Sequence, residues 1–128
     1  MIENPYEGLP TVVIRLDPSK LENPDIDLRY DLEKRLIAAL PDVVVLESGY
    51  GFCRHSDGML ITYSTSDLDR TVLALVAILE NDLVFGNRLA DGAIVATAPY
   101  SEIIRPGAEY EDHRVVYPVD IVGQQLPD

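Results

Sequence analysis

Apolar positions along the chain switch between a period near two and a period near four, and each switch predicts an element. Thr11-Val12-Val13-Ile14-Arg15-Leu16-Asp17 alternates, with Val12, Ile14 and Leu16 on one side and Val13, Arg15 and Asp17 on the other, as a strand with one core face requires. Pro18 to Pro24 reads as a loop. Leu28, Leu32, Leu36 and Leu40 then recur every four residues with Ala39 beside them, which predicts a helix that Asp25 or Asp27 caps and Pro41 stops. Val43-Val44-Val45-Leu46 is a β-branched run and predicts a second strand. Gly49-Tyr50-Gly51 brings two residues free to adopt positive φ, so a bulge or bend is expected there. His55-Ser56-Asp57-Gly58 has turn chemistry and Met59-Leu60-Ile61-Thr62-Tyr63 resumes the β composition, so the pair reads as a hairpin.

Ser66 is the expected cap of a second helix beginning at Asp67, with Asp67 and Asp69 in the first turn, where the macrodipole favours acids. Leu68, Val72, Leu75 and Leu79 line one face of it, widened by Val76 and Leu83. A polar, glycine-containing connection from Phe85 to Gly92 leads to the strand Ala93-Ile94-Val95-Ala96-Thr97, closed by Pro99. Arg114 to Val119 predicts a further strand at a sheet edge, where Pro118 is tolerable. The first ten residues, with two prolines and a glycine, are expected as an extended arm.

The order β-α-β-β-α-β predicts an α+β fold, the ferredoxin-like plait: an antiparallel four-stranded sheet with two helices on one face, here carrying an extra C-terminal strand or tail. The whole of 1–128 is expected as one domain, with its core at about 11–98 and an extension at 99–128. A plait leaves one sheet face bare. Val13 and Arg15 point to it, and its apolar part needs cover from the tail, a second copy of the chain or a partner.

Charge narrows the choice of partner. Twenty-two acidic against 10 basic residues give a net charge of −12, which argues against nucleic acid and anionic membranes and favours a basic partner. Solubility alone explains such acidity equally well. A single cysteine allows no intramolecular disulfide, and the N-terminus shows no basic stretch followed by an apolar run, so a soluble cytoplasmic protein is expected.

Candidate chemistry is sparse. Cys53 and His55, two apart, would share a strand face, the minimum for a thiol nucleophile, but a buried thiol beside a turn histidine is the simpler reading. His113 sits in an acidic loop, and two histidines with one cysteine lack metal-ligand spacing, so no metal or cofactor is expected. Gly49-Tyr50-Gly51-Phe52 lacks the lysine and hydroxyl of a phosphate loop. Glu47 and Asp57 are carboxylates of the type used in acid–base catalysis, but no spacing singles out a pair. An RNA-recognition module shares this strand order, yet the strands lack its basic-aromatic signature and the net charge has the wrong sign.

Gly49-Tyr50-Gly51, the strand Met59 to Tyr63, the helix start Ser66-Asp67-Leu68-Asp69 and the closing Gly92-Ala93-Ile94-Val95 together resemble a broad group of small bacterial ferredoxin-like proteins. Some members of that group resemble immunity proteins of polymorphic toxin systems. The likeness covers roughly Asp27 to Thr97, and its motifs are structural ones. It implies a noncatalytic protein that binds and blocks a cognate toxin, and an acidic surface suits a basic toxin. The contact residues expected are Glu102, Glu109, Glu111 and Asp112 in the tail, with Glu80, Asp82 and Asp91 near the second helix end and the following loop. Two other readings stand beside it. One is a ligand-regulated or homodimeric module with Gly49, Tyr50 and Gly51 lining a pocket; the other is a small enzyme built on Cys53 and His55 or a carboxylate.

Overall fold

The apolar runs mark the elements of the computed structural model, which describes residues 9–53, 56–98 and 113–126, although the second strand begins at Val45 and continues through the glycines to Phe52 rather than covering Val43 to Leu46. Strand β1 (Thr11–Leu16) leads to helix α1 (Leu28–Ala39), strands β2 (Val45–Phe52) and β3 (Met59–Thr65), helix α2 (Leu68–Asn81), and strands β4 (Ala93–Ala98) and β5 (Arg114–Tyr117). The strands form one sheet in the order β2-β3-β1-β4-β5, every neighbouring pair antiparallel. The sheet is therefore five-stranded rather than four-stranded, because Arg114–Tyr117 adds to β4 as an edge strand. The order of the other four is compatible with the expected plait.

The period of two in β1 decides which side chains meet. Val12, Ile14 and Leu16 pack in one cluster with Leu28, Leu32 and Leu36 of α1 and Leu75, Ile78 and Leu79 of α2, so both helices lie on that face. Val13 goes to the opposite face with Cys53, Leu60, Ala96 and Val115, and Ile121 and Leu126 pack against this second cluster. The chain's own 121–126 stretch thus supplies apolar cover on the face a plait leaves bare. That stretch also folds back along β5: Val115 N–H donates to the Gln124 carbonyl (2.8 Å), and Gly123 N–H to that of Val115 (2.9 Å).

Of the two caps expected for α1, Asp25 is the one that bonds, and the start of α2 differs from expectation. Asp27 flanks α1 without a capping bond; instead the Asp25 carboxylate accepts from Asp27 N–H (2.9 Å), and Leu28 N–H donates to the Asp25 carbonyl (3.0 Å). At α2 the cap is Asp67, whose carboxylate accepts from Arg70 N–H (3.2 Å). Ser66 is still held to the sheet, donating its N–H to the Val44 carbonyl and accepting Val44 N–H on its hydroxyl (3.0 and 2.9 Å). Leu83 does not widen the apolar face of α2 but stands exposed beyond its end.

Between α2 and β4 a tight turn, with positive φ at Phe85 (53°) and Gly86 (78°), brings Asn87 back beside Val84. Asn87 is buried and acts as a surrogate backbone: its amide oxygen accepts from Asn23 N–H and its amide nitrogen donates to the Asn23 carbonyl, each at 2.8 Å. This staples the β1–α1 loop to the α2–β4 connection. Asn87→Ala is expected to destabilise the fold by about 1–3 kcal/mol, because it strands two backbone groups of Asn23. The shift of the urea midpoint at unchanged slope measures it.

Candidate functional site

Arg29 directly follows Leu28, the first leucine of α1's buried stripe, so a cation is carried to the rim of the core where α1 meets β2. Its residue surface is only 6% exposed. A charge held there needs partners on every side. Nη1 donates to the Ile26 carbonyl (3.2 Å) and to the Asp27 carboxylate (3.3 Å), and Nη2 donates to the Tyr30 hydroxyl. Nε lies 3.0 Å from Glu47 Oε1, an ion-pair contact whose N–H points off the hydrogen-bond direction. The guanidinium carbon also sits 4.1 Å from the ring centre of Tyr30 and 3.9 Å from that of Tyr50.

A one-residue bulge in β2 makes this possible. The β2–β3 register slips between Glu47, opposite Tyr63, and Gly49, opposite Thr62, leaving Ser48 as the extra residue. Ile61 and Tyr63 both point to the helices, so Glu47 opposite Tyr63 and Tyr50 opposite Ile61 share that face. The bulge was expected at the glycines; it falls one residue earlier, and neither Gly49 nor Gly51 takes positive φ.

Two further groups lock the cluster. The Glu33 carboxylate, from the next turn of α1, accepts Glu47 N–H (3.0 Å), and the Tyr63 hydroxyl donates to the Arg29 carbonyl (3.2 Å). Burial pushes the Tyr63 phenol well above its ordinary range, with Glu47 and Glu33 adding to the shift. Burial likewise raises Glu47 above the usual carboxylate range, against the opposing pull of Arg29.

That shift has a sign. A carboxyl whose folded pKa is raised contributes stability that is present below its unfolded pKa and lost as pH rises through the folded value. Asp17, held low by Ser19, and Asp42, held low by Arg70, act oppositely, their contribution being lost on acidification. The expected outcome is that the Tm of the wild type minus that of Glu47→Gln falls as pH rises from the ordinary glutamate range of about 4 toward neutrality. Thermal melts of both proteins across that range check it.

No family model, no curated protein and no solved structure matches the chain.

Arg29 is enclosed and neutralised by Glu47 and Asp27, so what the cluster offers outward is aromatic. Tyr30 is 51% exposed, Tyr50 55%, and Phe52, two residues along the same strand, 60%. Arginine and tyrosine are over-represented among the residues that carry binding energy at protein interfaces, and rings already held in place lose little entropy on binding. An open groove lined by Leu68, Val72, Leu73, Thr97 and Val116 is a second surface feature.

The acidic residues expected as contacts are placed only in part. Glu80 is exposed on α2, and its backbone carbonyl accepts from Arg88 Nε (3.3 Å), while Arg88 Nη1 pairs with Asp91 (2.9 Å), so Glu80 and Asp91 share one corner. Asp82 is tied elsewhere, to Arg35 (3.2 Å), which also holds Asp31 (3.0 Å). Glu102, Glu109, Glu111 and Asp112 lie outside the described residues, as does His55. Cys53 is a buried free thiol. It packs so closely on Gly58 that a Cβ there would come within 2.7 Å of Sγ, which explains the glycine. Asp57 is exposed in the hairpin turn, whereas Glu47 is engaged with Arg29. Among the described residues no group of three His, Cys, Asp or Glu is gathered to hold a metal, and no helix is long and apolar enough to cross a membrane.

Sequence reasoning passes over Arg29, Tyr30 and Glu33, and meets Tyr50 only with Gly49 and Gly51, as part of a glycine bend or as the lining of a ligand pocket. The available signal was an arginine and a glutamate four apart, at 29 and 33, flanking the leucine stripe on the side that must face the next strand.

Proposed function

We propose that this protein is a noncatalytic binding protein of ferredoxin-like build, an immunity-type inhibitor that captures a basic bacterial toxin in the cytoplasm. The observation that carries the reading is the Arg29–Glu47 pair, which is spent on holding Tyr30 and Tyr50 as a preset exposed surface. Net charge supports it. The chain carries −12, and four arginines, Arg29, Arg35, Arg70 and Arg88, are already paired with its own carboxylates, which leaves an acidic exterior toward a basic partner. Such a pair associates fast and loosens with salt.

The test uses the toxin encoded beside the gene. Titration calorimetry is expected to show binding that weakens with salt, and Tyr50→Ala is expected to weaken it about 30-fold or more, as loss of a central aromatic anchor does. Cells carrying the toxin should be protected by the wild type and not by the variant. Absence of both binding and protection would end this reading.

A further inference from the structure

The two edges of the sheet are treated differently by the chain. At the β5 edge the chain closes its own ladder, since Val115 is bonded on its outer side by residues 123 and 124 and Arg114 is bridged to Gln125. At the other edge β2 has one neighbour, β3, among the described residues.

Half of that second edge is blunted. The bulge at Ser48 breaks its line, and the Glu33 carboxylate occupies the N–H of Glu47. Beyond the bulge, no such device is present among the described residues. Cys53 N–H donates to the Gly58 carbonyl (2.8 Å), so by the alternation of an antiparallel ladder Gly51 and Gly49 bond inward to β3. Tyr50 and Phe52 accordingly turn their N–H and C=O groups outward, and both of their side chains are exposed on the helix face of the sheet.

We infer that the β2 edge from Gly49 to Phe52 accepts an extended, lysine- or arginine-bearing segment of a protein partner as a sixth strand, with Tyr50 and Phe52 packing against its side chains. The open backbone groups supply affinity without regard to sequence, and the two rings select alternate side chains. Charge selects the occupant. A second copy would bring another −12 and another Glu33 to the same line, whereas a basic strand meets complementary charge. This rests on the proposed binding role and names the way the partner is held.

The experiment pans a random dodecapeptide library displayed on phage against the immobilised full chain. Enriched peptides are expected to alternate apolar residues with lysine or arginine and to bind less tightly as salt is added. Phe52→Pro removes one outward N–H and leaves the inward ladder in place, since proline is tolerated on an edge strand. It is expected to keep the wild-type circular dichroism and to bind the selected peptide about tenfold or more weakly than Phe52→Ala does. The same peptide N-methylated at alternate residues is expected to lose binding to the wild type, which tests the backbone contact even if Phe52→Pro does not fold. No enrichment, enrichment of acidic peptides, equal binding by Phe52→Pro and Phe52→Ala, or harmless N-methylation would each overturn the inference. So would sedimentation showing a dimer that Phe52→Pro dissociates. A toxin bound equally by Phe52→Pro and Phe52→Ala would remove the strand-addition mode and leave the inhibitor role standing; selected peptides bound at this edge with no toxin captured would do the reverse.

Discussion

Arg29→Ala is expected to destabilise the protein by about 3–5 kcal/mol, the range for breaking a buried pair from one side. The loss is not that of one contact. Glu47 would be left at the rim of the core without its counter-charge, and Tyr30 and Tyr50 without the cation their rings face. Urea unfolding of Arg29→Ala, Glu47→Ala and the double variant separates these contributions. The double variant should be less destabilised than the sum of the two singles, because the second substitution removes the charge the first had stranded. An additive result would mean that the pair contributes nothing as a pair.

Leu75→Ala should cost about 2–5 kcal/mol, as truncation of a fully enclosed leucine does when its surroundings cannot collapse into the space. Leu75 has no exposed surface and packs in the main cluster between the sheet and the helices. Leu73 provides the control within the same helix: it is 72% exposed, and its replacement by alanine should change stability by no more than about 0.5 kcal/mol. Both values come from one set of denaturation curves. A large effect at Leu73 would show that something covers that part of α2 in solution.

Periodicity carried the architecture. The alternation of β1 names its two faces, and the leucines at 28, 32 and 36 and at 75 and 79 are buried together in the main cluster. A strand at Arg114–Tyr117 was also legible, since a short β-branched run next to proline suits only an edge. What was not legible depends on geometry that spacing does not encode. Ser66 and Asp67 are both good caps by composition. Asp67 caps because Ser66 is still bonded to Val44, which leaves Asp67 as the first residue free to turn.

The site was harder to read because its members lie on two elements and come together only through a register slip. Arg29 on a leucine-rich helix reads as a solvated residue until the partner strand is known, and Glu47 reads as one acid among twenty-two. The acidic residues expected as contacts stand out in the sequence only by their charge. At Asp82 and Asp91 that charge is already answered by Arg35 and Arg88.

Ser48 works as a phase shifter. It makes the spacing from 47 to 50 odd, yet both side chains land on the same side of the sheet. Were the ladder to close over Ser48 with no bulge, the odd spacing would send either the carboxylate or the phenol to the other side. Deleting Ser48 outright would instead leave the two side chains two apart, on one side of an unbroken strand. The cluster thus withstands the loss of its extra residue but not the straightening of the strand around it.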